Sequence, residues 1–416
     1  MPLYLTDEQE RLISDVVNWY KHSSEPVFQY SGPAGTGKST VAHLIIEKLG
    51  LQEYEVAAMS YTGSAAIVMR VNGFTNACTI HSWLYRLVEE PEWDSKLNMM
   101  VKKKKFKFFP LDKEIIKLIF IDEASTVPIK MRKDLLSNGI KIIAAGDLNQ
   151  LPPVADKPAF LYDGYVYYLT KIMRQAESSA IVYLSNMLIR GIEPKVGNYG
   201  QVLVINKNQL TDDMISQAGI IICGRNRTRD VINNYVRDKF IQAKTSLPQY
   251  GEKVVCRKND WQLSESGINL ANGLSGRCMS NPYIESFKGK DNFKMDFVPD
   301  LFTNITFKDV ICDYKYFIAN YKQRREILAK NFDTLSDGTK SHKFEFSYAI
   351  TTHISQGSQY IDGIYIQEYL TKELQNHLNY TGITRFRNHC IYVLPYQRVY
   401  CPVYRPLVSI KGTPVI

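Results

Sequence analysis

Short apolar runs recur along the chain at the length of buried strands. The first set is Val27-Phe28-Gln29-Tyr30, Val56-Ala57-Ala58-Met59, Leu118-Ile119-Phe120-Ile121 and Ile142-Ile143-Ala144-Ala145. Runs without polar alternation predict strands covered on both faces, as in parallel sheets. A second set follows at Ile220-Ile221-Ile222, Ile364-Tyr365-Ile366 and Ile391-Tyr392-Val393-Leu394. Helical spacing covers 38–49 and 225–240, the latter with Val231, Ile232, Tyr235 and Val236 expected on one buried face. Strands alternating with helices in two sets predict two doubly wound α/β units.

Two stretches break this pattern. Residues 83–112 form two arms around a polar tip, Pro91 to Lys96, and predict a β-hairpin inserted into the first unit. Residues 253–340 hold short β-like pieces, an Asn272-Gly273 turn signal and a charged helical run, Tyr321 to Lys330. They predict a small β insertion. The last 20 residues contain three prolines and show no regular pattern.

Composition narrows the class. A chain of 416 residues with 45% hydrophobic and 22% charged residues can bury several cores. Lys plus Arg number 51 against 42 Asp plus Glu, so the net charge of +9 is compatible with a polyanionic partner. No run of 18 apolar residues argues for a membrane span, and MPLYLTDEQERL does not read as a secretory signal. Seven scattered cysteines without a CxxC pair fit free thiols rather than a disulfide framework or zinc site. The expectation is a soluble protein of the cytoplasm.

The chemistry starts at Gly32 to Thr40, GPAGTGKST, between a strand and a helix. This is the phosphate-loop pattern. Gly32, Gly35, Thr36 and Gly37 would let backbone N–H groups wrap phosphates, at a helix N-terminus that adds partial positive charge. Lys38 would reach the β- and γ-phosphates of a nucleoside triphosphate, and Ser39, followed by Thr40, would hold Mg²⁺. The strand Leu118 to Ile121 runs into Asp122-Glu123 at the carboxyl edge of the sheet. There Asp122 suits Mg²⁺ coordination, and Glu123 suits orienting or deprotonating water.

With these come LTDEQERL, MSYTGSAAIVM, CTIHSWL, GDLNQLPPV, LTKIMRQ, ICGRNRTRDVIN, YAITTHISQGSQY and LNYTGITRFR, in that order. The set resembles superfamily 1B helicases, the RecD-like and phage Dda-like group, over roughly residues 3–394. The resemblance implies two RecA-like domains: 1–82 with 113–162, and 163–252 with 341–416. It also implies a β-hairpin pin at 83–112 and an SH3-like β insertion at 253–340. Gln9 falls where the family contacts adenine, although Thr6-x-x-Gln9 is equally a helix capping box. Gln150 matches the γ-phosphate sensor, with Asp147 supporting its loop. Arg174 and Arg385 match the arginines that reach the γ-phosphate across the cleft, worth about 10³ to 10⁵ in rate. Gly357 and Gln359 lie among the nucleotide contacts. The family commonly has Glu at the second position, so a charged ribose contact is missing there.

The resemblance places single-stranded DNA along Tyr61, Thr62, Ser64, Thr79 and His81, then Arg225, Asn226, Thr352 and His353. Each hydroxyl could instead cap a turn, and either histidine could be structural. Ile354 stands where Lys is common, which removes one candidate backbone contact. The run Lys102 to Lys105 with Phe106, Lys107, Phe108 and Phe109 mixes charge and aromatics as strand-binding surfaces do, or is a solvated face. Trp93 is the candidate wedge of the pin, or packs its own hairpin. The implied activity is an ATP- and Mg²⁺-dependent monomeric motor that moves 5′ to 3′ and opens single-/double-strand junctions. Replication or recombination proteins are possible partners, and the compact chain suggests a phage origin. An RNA helicase and a non-unwinding ATPase switch are the alternatives.

Overall fold

The computed structural model describes residues 4–94, 98–153, 156–172, 179–266, 268–287, 290–329 and 340–395. Its first sheet runs, in spatial order, Cys78–Thr79, Val56–Ser60, Leu118–Asp122, Lys141–Gly146, Val27–Ser31 and Tyr167–Tyr168, every neighbour parallel. Alternate residues of each strand enter opposite cores. Val56, Ala58, Leu118, Phe120, Ile143 and Ala145 pack with Leu12, Val16, Val41 and Ile45 on one face. Ala57, Met59, Ile119, Ile121, Ile142 and Ala144 pack with Leu135 and Phe160 on the other. Burial on both faces is why these strands read as unbroken apolar runs.

The second sheet runs Ala349–Thr351, Ile221–Cys223, Tyr360–Ile366, Phe386–Leu394, Val202–Asn206 and Gly197–Asn198. All its neighbours are parallel except the last pair. The helix expected over 225–240 is Asn226–Val236, extended by a wider turn, Arg237–Ile241. Its face differs from the expectation. Val231 is 61% exposed, whereas Arg229, Asn233 and Val236 are buried. The polar pair is buried because partners distant in sequence satisfy it. Asn233 donates to the carbonyls of Phe346 and Ala349 and accepts from the Ala349 amide, and Arg229 pairs with Glu345.

A third, antiparallel sheet orders Ile284–Phe287, Lys290–Pro299, Ser275–Cys278, Lys253–Cys256 and Phe344–Phe346, with Phe307–Asp313 on Lys290–Pro299. The β insertion expected over 253–340 thus takes its last strand from beyond 340. Asn272-Gly273 turns between two different sheets, with Gly273 at φ +88°, rather than closing a hairpin. The charged run is helical over Tyr321–Ala329.

The hairpin pairs Tyr85–Asp94 with Met99–Phe108. Asp94 faces Met99, so the strand runs through Pro91 to Asp94, residues expected in the tip; 95–97 lie outside the described residues. Acidic residues on one strand face basic ones on the other, including the Lys107–Glu90 ion pair at 3.3 Å and the Lys105–Glu92 pair. These exposed pairs fix register more than they stabilise. Among the described residues Cys78, Cys223, Cys256, Cys278, Cys312 and Cys390 are free thiols, and no helix is long and apolar enough to cross a membrane. Cys401 and the proline-bearing tail from 396 lie outside the described residues.

Candidate nucleotide site and strand cleft

The phosphate loop leaves the strand Val27–Ser31 and enters the helix Lys38–Leu49, with Gly35 at φ +87° and Gly37 at φ +76°. These left-handed angles turn the loop tightly enough for its backbone to form a cradle. Lys38 Nζ donates to the carbonyls of Gly32 at 2.6 Å and Pro33 at 3.1 Å, which places the cation inside the loop. Ser39 and Thr40 are exposed at the start of the helix, whereas Thr36 is buried with its hydroxyl on the Pro33 carbonyl.

Gln9 carries its structural role visibly. Its Oε1 accepts from the Thr6 amide at 2.9 Å, completing the capping box, and its Nε2 donates to the Thr36 carbonyl at 2.9 Å. At 1% exposure the side chain braces the phosphate loop from behind instead of facing open space.

Asp122 ends its strand, and Glu123 follows in a left-handed conformation, φ +51°, that is uncommon for a non-glycine residue. Burial, reinforced by the Glu123 charge, pushes the Asp122 carboxyl up to about 6 although Lys38 pulls it down. Glu123 Oε2 and Gln150 Oε1 are both buried without a hydrogen-bond partner. These orphaned acceptors, one of them on Glu123 next to the Asp122 carboxyl, fit a divalent cation and an ordered water. Ser39 and Asp122 are the residues that would hold the cation.

Asp147 orders the loop before Gln150. Its Oδ1 accepts from the Asn149 amide at 2.9 Å and its Oδ2 accepts from the Tyr380 hydroxyl at 2.6 Å. Tyr380 also accepts from the Ala34 amide at 3.0 Å. It lies on the helix Lys372–Ile383 of the second unit, with His377 against the Asn149 carbonyl and Thr381 accepting from the Leu151 amide. Spacings of three and four residues bring all three onto one helix face, against the first unit.

Arg385 is 5% exposed and uses its guanidinium on its own unit, donating to the carbonyls of Thr381 and Ser358 and to the Thr384 hydroxyl. Arg174 lies outside the described residues. Gln359 is exposed and accepts from Arg387 at 2.7 Å. At Gly357, φ +75°, a Cβ would meet the Ala65 Cβ at 2.5 Å. The glycine therefore permits close packing between the units, which is a different use from the expected nucleotide contact.

A cleft of about 370 Å³ opens between the two α/β units and the β insertion. It gathers Tyr61, Thr62, Ser64, His81 and His353 from the expected strand-binding set. Burial holds both histidines below their usual range, His81 further under the influence of Lys130, so both are neutral at pH 7. Rings continue from the cleft to the hairpin base: Tyr61 and His81 at 6.3 Å, His81 and Tyr85 at 5.3 Å, Tyr85 and Phe108 at 6.1 Å. Trp93 is 54% exposed near the far end, opposite Met100, so it does not pack away into its own hairpin. Of the Lys102 to Lys105 run, Lys105 and the neighbouring Lys107 are paired to Glu92 and Glu90 as above; the side chains at 102–104 lie outside the described set.

The other expected contacts are elsewhere. Thr79 is buried and caps the helix Ile80–Leu84 through the Ser82 amide. Thr352 is fully buried, its hydroxyl on the Cys223 carbonyl. Arg225 and Asn226 are exposed at the start of their helix, outside the cleft lining, with Arg225 donating to the Tyr369 carbonyl. Conversely, Arg257, Asn259 and Asn272 line the cleft and were not singled out from sequence as contacts. In sequence they fall in the stretch read only as the β insertion, with Asn272 as part of its turn signal.

Residues 4–207 match a family described as an AAA domain. The chain is 26% identical to the uncharacterized protein MJ1519 of Methanocaldococcus jannaschii over 88% of its own length and 36% of that protein. It is 28% identical to the ATP-dependent DNA helicase RRM3 of Saccharomyces cerevisiae, over 44% of this chain and 27% of that one. The matches thus span about a third or less of these curated relatives, which are cellular proteins and lend the expected phage origin no support. Among solved structures, the Pif1 helicase of Candida albicans superposes over 95% of both chains with a TM-score of 0.54 at 18% identity, a likeness of fold. The resemblance to superfamily 1B helicases is borne out.

Proposed function

Taking the chain as a distant homologue of Pif1-family helicases, we propose that it is an ATP-dependent DNA helicase moving 5′ to 3′ on single strands. The observation that carries this reading is Gln356. It lines the strand cleft, and its Nε2 donates to the Leu151 carbonyl, next to the orphaned Gln150. Ser64, on the opposite wall, donates to the Gln356 carbonyl at 3.1 Å. One residue thus belongs to both sites, through its carbonyl and its side-chain amide, as a motor that couples hydrolysis to grip requires.

In this reading Lys38 leaves the loop carbonyls for the phosphates of ATP. Mg²⁺, held by Ser39 and Asp122, would neutralise developing phosphate charge. Glu123 orients the attacking water and takes its proton; Gln150 senses the γ-phosphate. Arg385 exchanges its Ser358 and Thr384 contacts for phosphate oxygens, and Arg174 is its proposed companion. The strand lies on Tyr61, Thr62, Ser64, His81 and His353. The first unit, 1–82 with 113–162, closes on the second, 163–252 with 341–416. The insertion 253–340, as the SH3-like module, walls the cleft, and the hairpin 83–112 presents Trp93 to the junction. The partners are single-stranded DNA and its junctions with duplex, engaged by a monomer.

Strand separation on otherwise identical duplexes, one 5′-tailed and one 3′-tailed, tests the proposal, with ATP and Mg²⁺ present and Lys38→Ala as the blank. Opening of the 5′-tailed duplex alone is expected. Opening from the 3′ tail alone overturns the polarity, and ATP hydrolysis on single strands without any opening replaces the helicase with a translocating or switching ATPase.

A further inference from the structure

Glu345 stands on the strand Phe344–Phe346 where the β insertion meets the helix Asn226–Val236, and it is 3% exposed. Three guanidiniums converge on it. Arg229 Nη1 lies 2.7 Å from Oε2, Arg257 Nε lies 3.2 Å from Oε1, and Arg324 Nη1 lies 3.5 Å from Oε2. The Tyr316 hydroxyl donates to Oε1 at 2.6 Å. Arg229 and Arg324 share Asp230 as a second partner, at 2.8 and 3.2 Å. Burial alone would raise the Glu345 carboxyl, but the guanidiniums of Arg257, Arg229 and Arg324 outweigh it and hold the group down at about 2. Three cations against two carboxylates leave the cluster with one surplus positive charge.

Of the three arginines, Arg257 lines the strand cleft, with Nη1 3.4 Å from Asn272 Oδ1. The other described side chains on that wall are uncharged at neutral pH: hydroxyls, amides, apolar groups and the two depressed histidines. The position after His353 is the apolar Ile354, on the same wall. Among the described residues lining the cleft, Arg257 is thus the one formal cation a polyanion meets, and its planar fork suits a phosphate.

We propose that Arg257 is a phosphate contact for the strand and that Glu345 is its positioning residue. The inference rests on the reading of this cleft as the strand site. Because Glu345 also holds Arg229 of the second unit and Arg324 of the insertion, the arginine is aimed only when the insertion is seated on the second unit.

The test is the affinity for a thymidine oligonucleotide across a salt series, in wild type, Arg257→Gln, Glu345→Gln and the double variant, with folding checked by thermal melting. Arg257→Gln is expected to weaken binding and to lower the slope of log affinity against log salt by about 0.7, one phosphate on a single strand. Glu345→Gln is expected to weaken binding alone and to add nothing in the Arg257→Gln background. Should Glu345→Gln not fold, Tyr316→Phe removes a donor to the same carboxylate, and its smaller loss should likewise vanish in that background. An unchanged slope in Arg257→Gln, or losses that simply add, overturns the proposal while leaving the cleft reading intact. Wild-type protein that does not bind the oligonucleotide sinks both.

Discussion

The Tyr380 hydroxyl donates to Asp147 at 2.6 Å while accepting from the Ala34 amide at 3.0 Å, joining the second unit to both halves of the nucleotide site. Tyr380→Phe removes both bonds and leaves a buried carboxylate short of a partner. A hydrogen bond to a charged group contributes about 1.5–3 kcal/mol. We expect a lower melting temperature and a fall of about tenfold or more in the rate of ATP hydrolysis on single-stranded DNA, measured in a coupled assay.

Glu123 carries an orphaned buried oxygen at the point where water would be activated. Glu123→Gln keeps the size of the side chain and removes the base. Hydrolysis should fall about 10²- to 10⁴-fold, while binding of a fluorescent ATP analogue stays within a few-fold of wild type. Equal loss of binding and hydrolysis would make Glu123 a structural residue.

Asp122 titrates near 6, above the usual carboxylate range, because burial and the Glu123 charge disfavour its ionised form. An acid whose native pKa lies above its unfolded one loses native stability as pH rises through the native value. Asp122→Asn should therefore raise the melting temperature of the nucleotide-free protein at pH 7.5. The gap should shrink as pH falls below about 6 toward the ordinary carboxylate range. Melting curves at pH 7.5 and pH 5 check this, and the same substitution should abolish ATP hydrolysis.

Trp93 is 54% exposed near the end of the hairpin, beside Met99 and Met100 at 53% and 54%. Trp93→Ala should reduce duplex opening several-fold more than it reduces ATP hydrolysis on a single strand. Stopped-flow unwinding and steady-state hydrolysis, read together, decide it; equal losses in both would remove Trp93 from the junction.

His81 and His353 are held neutral by burial, so acidification from pH 7.5 to 6.5 should not strengthen strand binding through them. Fluorescence anisotropy at the two pH values checks this. A marked gain at pH 6.5 would mean that one of the rings charges against the phosphate chain.

Most central strands of the two α/β sheets were legible in sequence because a strand buried on two faces is largely apolar, and the phosphate loop was legible because its glycines and Lys38 have fixed spacing. The short strands Ala349–Thr351 and Phe344–Phe346 were not, since Thr351 and Glu345 interrupt apolar runs too short to show alternation. The buried face of Asn226–Val236 was misread because Arg229 finds its partner, Glu345, far along the chain. Local spacing cannot show such a pair. The same distance hid Arg257, whose place in the cleft depends on how the insertion folds back. Thr79 and Thr352 looked like strand contacts in sequence, but backbone geometry commits Thr79 to a cap and Thr352 to the Cys223 carbonyl. Gln9 offered two readings, and its capping box is formed.

The central claim is that the strand cleft and the nucleotide site act through shared residues, with Gln356 as the link. The most direct measurement is the ratio of ATP hydrolysis rates with and without saturating single-stranded DNA, in wild type and in Gln356→Ala. The account predicts a ratio well above one in wild type that collapses toward one in the variant. A ratio that stays the same in both proteins would contradict it.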